Sequence, residues 1–176
     1  MSKKIIRIIA VLSVPALLLA TLTSCLGKDQ IKAIDLIDAL CQAEKPLPAG
    51  QIYSRTEDSR ADGLLSDELL AVTYGKGSLP PAFDAVRDAA CFLSYTSPCE
   101  FAVFLCRSRD AAQELSKVCL RRLDSLRIRY AEDSFFSTET AAPYLENAQV
   151  WVRGNWVILC ISSDPDSSFR SCKKLI

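Results

Sequence analysis

A thiol directly behind an apolar stretch is the clearest site of chemistry in this sequence. A short basic segment is followed by a largely apolar run over residues 8–22. The run ends at Leu22, and Thr23, Ser24 and Cys25 come directly after it. This order is typical of a secretory signal with small residues before the cleavage point. A membrane-spanning helix needs about 20 apolar residues, and this run is shorter. We therefore predict cleavage after Ser24 and attachment of diacylglycerol to the Cys25 sulfur.

The four residues have the pattern of a lipobox, the processing motif of bacterial lipoprotein precursors. Two acyl chains hold a protein stably at a membrane, whereas a single chain binds only marginally. An ordinary secretory signal that happens to be followed by cysteine is the alternative. We expect residues 1–24 to be a signal peptide, residues 25–30 a short tether and residues 31–176 one domain. The predicted location is the outer face of the bacterial cytoplasmic membrane.

The absence of histidine limits the chemistry of the chain, since it excludes Ser–His and Cys–His nucleophilic pairs. Of the eight cysteines, seven remain if Cys25 carries lipid. No two of them have the C-x-x-C spacing of redox motifs or zinc knuckles. Because most lie among apolar residues, we expect mainly reduced core thiols, although an extracytoplasmic location permits disulfides. The sequence predicts no metal, no cofactor and no catalytic constellation.

Glu100 is the most unusual acidic residue, because it begins the strongly apolar segment 101–105. A buried carboxylate with a perturbed pKa is a candidate for acid–base catalysis. No spacing pairs Glu100 with a second acid, and acidic residues are normally solvated. We expect a structural role for Glu100 and keep catalysis as the alternative.

Two groups of side chains are candidates for contacts with a partner. Trp151, Arg153 and Trp156 fall on one face of a predicted hairpin, and aromatic residues with arginine are enriched at protein interfaces. The alternative is that a short helix covers this face and both tryptophans are core residues. The second group is a basic cluster on a predicted long helix, formed by Arg121, Arg122 and Arg129. This cluster is either a solvated helix face or a contact for envelope polymer or lipid headgroups.

The predicted mature chain is mildly acidic. Three basic residues leave with the signal peptide, so residues 25–176 hold 18 basic and 21 acidic side chains, a net charge of −3. This gives no electrostatic reason to expect nucleic acid or anionic lipid headgroups as partners. The acyl chains alone are expected to hold the protein at the membrane.

Hydrophobic periodicity and turn signals predict the elements that position these residues. The segment 51–63 is polar and is expected to be irregular. Gly154-Asn155 is a strong hairpin signal that places residue 153 opposite residue 156. The predicted helices begin near residues 31, 67, 110, 138 and 165, and the predicted strands lie within 85–95, 100–106, 149–153 and 156–162.

The element order is therefore α-α-ββ-α-α-ββ-α. Strand pairs separated by helices are typical of an α+β domain. We predict two layers, with helices packed on an antiparallel sheet of about four strands in two hairpins. The segment 101–105 is apolar at every position, which indicates a central strand that is covered on both sides, at least in part.

Several short segments are similar to a known family. They are Cys99-Glu100-Phe101-Ala102-Val103-Phe104, Arg129-Tyr130, Glu146-Asn147-Ala148-Gln149-Val150 and Gly154-Asn155-Trp156-Val157. With the lipobox, they resemble the small lipoproteins of Gram-positive bacteria that share a C-terminal domain of unknown function. The resemblance covers roughly residues 31–176 and implies an anchored extracytoplasmic domain. It implies no activity and no catalytic residue, and the many cysteines depart from the family pattern.

Three functions are compatible with these features. The first is a non-enzymatic binding or scaffolding module at the membrane face, whose partner is an envelope protein or polymer. The second is a small envelope hydrolase or transferase that uses carboxylates or a reactive cysteine. The third is a transport-accessory lipoprotein.

The lipid anchor is tested by Cys25→Ala. Without the thiol, diacylglycerol cannot be attached, so we expect released protein or an uncleaved precursor. Intact-mass measurement of the membrane fraction distinguishes these outcomes, and Ser24→Ala, which keeps a small residue, is the control. A wild-type protein with an unlipidated mature N-terminus would contradict the prediction.

Overall fold

The computed structural model describes residues 31–132 and 138–176. Cys25 and the predicted signal peptide lie outside these residues. The five helices within the described residues are α1 (Ala33–Ala43), α2 (Asp67–Tyr74), α3 (Arg109–Glu132), α4 (Thr138–Glu146) and α5 (Pro165–Lys173), with a 3₁₀ turn at Pro81–Ala85. The same residues form six strands, β1 (Gly50–Ser54), β2 (Gly63–Leu64), β3 (Val86–Ser94), β4 (Glu100–Cys106), β5 (Gln149–Arg153) and β6 (Trp156–Ile161).

The strands form one sheet in the order β2-β1-β3-β4-β6-β5. The short strand β2 runs parallel to β1, and every other neighbouring pair is antiparallel. Strand β4 therefore lies in the middle, between β3 and β6. The sheet is mixed, and its two outer strands are short.

Helices cover both faces of this sheet. Because side chains alternate along a strand, β4 contributes to two separate cores. Phe101 and Val103 pack with α1 and α5, whereas Ala102 and Phe104 pack with α2, α3 and α4. Strand β6 divides its side chains in the same way, so the central strands are buried on both sides.

The prediction of a two-layer domain with about four antiparallel strands is wrong, although the α+β class is confirmed. The sheet has six strands of mixed direction, and it has helices on each face. The apolar faces of α1 and α5 need a partner, and the apolar second faces of β4 and β6 supply it. Covering these faces with helices removes both from water, which is the dominant favourable contribution to folding.

The segment 51–63, expected to be irregular, holds residues 51–54 of β1 and the first residue of β2. The predicted order α-α-ββ-α-α-ββ-α is therefore wrong, because a strand pair lies between α1 and α2. Strand β1 has little hydrophobic patterning, and four of its five residues are only half-buried. Its stability comes from pairing with β3, where Tyr53 lies opposite Cys91. Such a strand depends on tertiary hydrogen bonds, which a local pattern does not reveal.

The hairpin of β5 and β6 is confirmed in position and register. Arg153 lies opposite Trp156, and Trp151 lies opposite Ile158. Gly154 has a φ of 57°. Glycine at the first central position with positive φ is what a type II′ hairpin turn requires.

Both sheet faces can be tested by truncating one phenylalanine on each. Phe101 and Phe104 are fully buried on opposite sides of β4. We expect Phe101→Ala and Phe104→Ala each to lower the free energy of unfolding by about 3–5 kcal/mol, because each leaves a cavity.

Denaturant unfolding measures this loss, and Val72→Ala, at a side chain 73% exposed on α2, is the control. A two-layer domain would leave one of the two phenylalanines exposed. A large effect at only one position would therefore contradict the observed covering of both faces.

Candidate functional site

A groove between β5 and α5 is the candidate site that combines aromatic and charged side chains. The Trp151 indole packs edge-on against the Phe169 ring, with 5.6 Å between the ring centroids. The ammonium of Lys173 lies 5.7 Å from the centre of the indole. The groove has a volume of about 190 Å³ and is lined by Gln149, Trp151, Asp166, Phe169, Arg170 and Lys173.

Helix α5 presents its side of the groove because of its residue spacing. Phe169 and Arg170 follow Asp166 by three and four residues and precede Lys173 by four and three, so these side chains lie along one side of the helix. Asp164 fixes the start of the helix, since its carboxylate accepts a hydrogen bond from the Ser167 N–H at 3.0 Å. The aromatic ring of Phe169 is buried, while the three charged side chains are exposed.

The groove is cationic at one end and acidic at the other. Arg170 and Lys173 lie in the last turn of α5, where the helix dipole favours positive charge. Asp166 lies in the first turn, where the dipole favours negative charge. A cation over an exposed indole contributes about 0.5–1 kcal/mol. The arrangement therefore holds an aromatic surface with two cations beside it, ready to accept an anionic group.

The predicted patch of Trp151, Arg153 and Trp156 is divided by the structure. Trp151 lies against α5, so a short helix covers this part of the sheet face. Trp156 is half-buried against the core between the sheet, α1 and α5, and Arg153 is exposed at the end of β5. Sequence reasoning missed Arg170 and Lys173, although the four-residue spacings from Asp166 to Arg170 and from Phe169 to Lys173 were available as a signal.

The second predicted patch loses Arg122. Arg121 and Arg129 are exposed, as a solvated face requires, but the Arg122 side chain is only 16% exposed. It turns inward to form an ion pair with Glu100, where its Nη2 donates to Oε2 at 2.8 Å. Arg121, Arg122 and Arg129 therefore do not form one free basic surface.

Glu100 is 3% exposed and satisfied by two partners. Arg122 donates to one carboxylate oxygen through Nε and Nη2, and the Tyr74 hydroxyl donates to the other at 2.8 Å. Burial and the negative charge of Glu100 raise the pKa of Tyr74 well above its ordinary value. The network joins α2, α3 and β4, which makes Glu100 a structural residue rather than a catalytic acid.

A second buried carboxylate joins the end of α1 to the end of β6. Glu44 is 2% exposed. It accepts hydrogen bonds from the hydroxyls of Ser162 at 2.5 Å and Ser163 at 2.6 Å. The Ser162 hydroxyl also lies 3.2 Å from that of Ser168. These hydrogen bonds hold the end of α1 against the end of β6.

The thiols of the described residues are unpaired, and six of the seven are buried: Cys91, Cys99, Cys106, Cys119, Cys160 and Cys172. Burial raises the pKa of Cys106 to about 11 and that of Cys172 to about 12. At Cys41, burial and the nearby charge of Asp38 raise the pKa to about 12. A nucleophilic cysteine needs a lowered pKa, so these thiols have the properties of core residues.

The described residues contain neither a metal-binding cluster nor a membrane-spanning helix. Residues 31–132 and 138–176 hold no group of three or more Cys, Asp and Glu side chains that could bind a metal ion. No helix within the same ranges combines the length and the apolar character needed to cross a membrane.

The Glu100–Arg122 pair is tested by Arg122→Ala. This substitution leaves a buried carboxylate without its cation, and we expect the free energy of unfolding to fall by about 3–5 kcal/mol. Arg129→Ala removes an exposed arginine from the same helix and should change it by less than about 0.5 kcal/mol. Equal effects of the two substitutions in denaturant unfolding would show that Arg122 is not part of a buried pair.

Raised thiol pKa values make the folded protein sensitive to alkali. Thiols ionise near 9.0 in the unfolded chain, whereas burial holds the pKa of Cys119 above this value in the folded state. The resulting stability is present below pH 9 and is lost as the pH rises, because only the unfolded state then loses protons.

We expect Cys119→Ala to make this loss less steep by up to about 1.4 kcal/mol per pH unit. Ser116→Ala on the same helix removes no titrating group and should leave the slope unchanged. The measurement is denaturant unfolding over a series of alkaline pH values. Identical slopes for the wild type and Cys119→Ala would mean that this thiol titrates equally in both states.

Comparison with known proteins adds no assignment. No protein-family model matches this chain, and neither a curated protein nor a solved structure is similar enough to count as a match. The resemblance to small Gram-positive lipoproteins therefore remains a prediction from the sequence.

Proposed function

We propose that this protein is a membrane-anchored, extracytoplasmic lipoprotein that binds an acidic segment of another envelope protein. The β5–α5 groove carries the proposal, because it combines Trp151, packed on a buried phenylalanine, with the cationic side chains of Arg170 and Lys173. The lipobox at Cys25 supports the location. The binding role belongs to the folded domain, and the anchor keeps that domain beside the membrane.

The composition of the groove favours a protein partner. Binding energy at protein interfaces is concentrated in Trp, Tyr and Arg residues that lie in partly desolvated pockets. Trp151 and Arg170 supply two of these residue types, and Phe169 holds the indole in a fixed orientation. A carboxylate of the partner can reach Arg170 or Lys173 while an apolar neighbour contacts the indole ring.

An enzymatic function has less support. The groove is lined by one carboxylate, Asp166, and by neither a second acid nor a thiol. The buried acids Glu44 and Glu100 are held by serine, tyrosine and arginine side chains. The raised pKa values of the described thiols oppose nucleophilic chemistry at neutral pH.

The groove is tested by site-specific photocross-linking in intact cells. A photoreactive amino acid at position 149, in the groove, should give a discrete adduct with one protein. The same amino acid at position 72, on an exposed side chain of α2, is the placement control. Because opposite charges hold the complex, Arg170→Glu with Lys173→Glu should reduce the adduct at least tenfold.

Arg121→Glu with Arg129→Glu is the matched control for charge, because both arginines are exposed outside the groove. This control should leave the adduct at position 149 unchanged. An adduct that forms equally from position 72, or that survives reversal of Arg170 and Lys173, would contradict the proposed binding site.

A further inference from the structure

One end of the sheet carries a row of exposed arginines. Arg87 lies near the start of β3, Arg107 directly follows β4 and Arg153 ends β5. All three side chains are exposed, and none has an ion-pair or hydrogen-bond partner for its side chain among the described residues. Arg109, at the start of α3, is also exposed at this end. We call Arg87, Arg107, Arg109 and Arg153 the basic edge.

Strand register places these residues side by side. Arg153 is paired with Trp156, which is paired in turn with Leu105, two residues before Arg107. The N–H of Arg107 donates to the Ala85 carbonyl at 2.8 Å, which holds the end of β4 beside the start of β3. The basic edge therefore runs across four neighbouring strands rather than along one helix.

The chain enters the domain at this same end. The N–H of Ala33, the first residue of α1, donates to the Asp88 carboxylate at 2.8 Å. Asp88 is paired with Leu105 in the sheet, so α1 begins beside the basic edge. Only five residues separate Cys25 from Ile31. At about 3.5 Å per residue, the six steps from Cys25 to Ile31 allow the acyl anchor to lie at most roughly 20 Å from Ile31.

We infer that the basic edge docks on the anionic phospholipid headgroups of the membrane in which Cys25 is anchored. This inference rests on the proposed lipid anchor and adds the orientation of the domain. Net charge conceals the effect, because a value of −3 averages acidic and basic regions over the entire mature chain. Arginines near an anionic membrane surface each contribute about a fivefold preference for binding.

Neighbouring groups are consistent with this orientation. Trp156 is half-buried at the basic edge, and tryptophan is the residue that favours the level of the lipid headgroups. Three exposed acids lie at the same end, Asp84, Asp110 and, on the loop that follows β1, Glu57. Arg60 on that loop is ion-paired with Asp35, Asp38 and Asp58. The carboxylate of Asp88 is occupied by the start of α1. The four arginines of the basic edge have no side-chain partner among the described residues and can contact headgroups.

The experiment uses the lipidated protein in two kinds of vesicle. One is phosphatidylcholine alone, and the other is two parts phosphatidylcholine to one part phosphatidylglycerol. Amide hydrogen exchange is measured for residues 86–88, 105–109 and 153–156 at low and at near-physiological salt. We expect slower exchange in these segments, by about tenfold or more, on the anionic vesicles only, with a smaller difference at the higher salt.

The variant Arg87→Glu, Arg107→Glu, Arg153→Glu should abolish this difference while the protein stays bound to the vesicles through its lipid. The control variant Lys45→Glu, Arg121→Glu, Arg129→Glu changes the net charge equally at exposed positions outside the edge and should keep the difference. Circular dichroism confirms that both variants are folded.

The outcomes separate the two proposals. A lipidated protein whose exchange is the same on both kinds of vesicle overturns the docking and leaves the anchor in place. Loss of protection in the control variant as well as in the edge variant also overturns it, because the effect would then reflect net charge. A mass spectrum without diacylglycerol on Cys25 overturns both the anchor and the docking that depends on it.

Discussion

Burial of the central strand β4 on both faces is the constraint on which the rest of the fold depends. Its side chains from Phe101 to Phe104 are fully buried, and they alternate between two cores. One layer of helices can cover only one face of a sheet, so a strand of this composition requires helices on both sides. The positions of α1 and α5 on one face, and of α2, α3 and α4 on the other, follow from this requirement.

The same constraint explains the buried carboxylates. Glu100 begins β4 and so enters the region that both helix layers exclude from water. A buried charge is tolerated only when it is paired and hydrogen-bonded, which Arg122 and Tyr74 achieve from two different helices. Glu44 is stabilised on the other face by the hydroxyls of Ser162 and Ser163. Each network fixes one helix layer to the sheet, since its geometry is met in a single arrangement.

Because the buried acids are all held by neighbouring side chains, the two candidate binding sites lie on the surface. The β5–α5 groove lies on the outer strand of the sheet, and the basic edge lies at the end where the chain enters the domain. Trp151 lines the first surface and Arg153 belongs to the second, while Trp156 is half-buried against the core. Two residues of one strand therefore lie on two separate surfaces, because the helix α5 packs on Trp151 and leaves Arg153 exposed.

Much of the local structure was predictable, because the signals are carried by adjacent residues. Gly154-Asn155 predicted the hairpin and its register, and the local pattern predicted a helix that begins near residue 165, where α5 starts. The buried stripe of α3, including Leu115 and Leu123, was also readable from its spacing. Strand β1 was not, since it depends on pairing with β3 rather than on its own pattern.

The sequence by itself determined the lipobox prediction, the absence of histidine chemistry, the α+β class and most helices and strands. Only the tertiary structure decided which residues meet. Glu100 and Arg122 are 22 residues apart, and Glu44 and Ser162 are 118 apart, so no local pattern links them. Likewise, the alignment of Arg87, Arg107 and Arg153 depends on strand register. Local patterns specify elements because their signals repeat over a few residues, whereas sites are assembled by packing between elements that are distant in the chain.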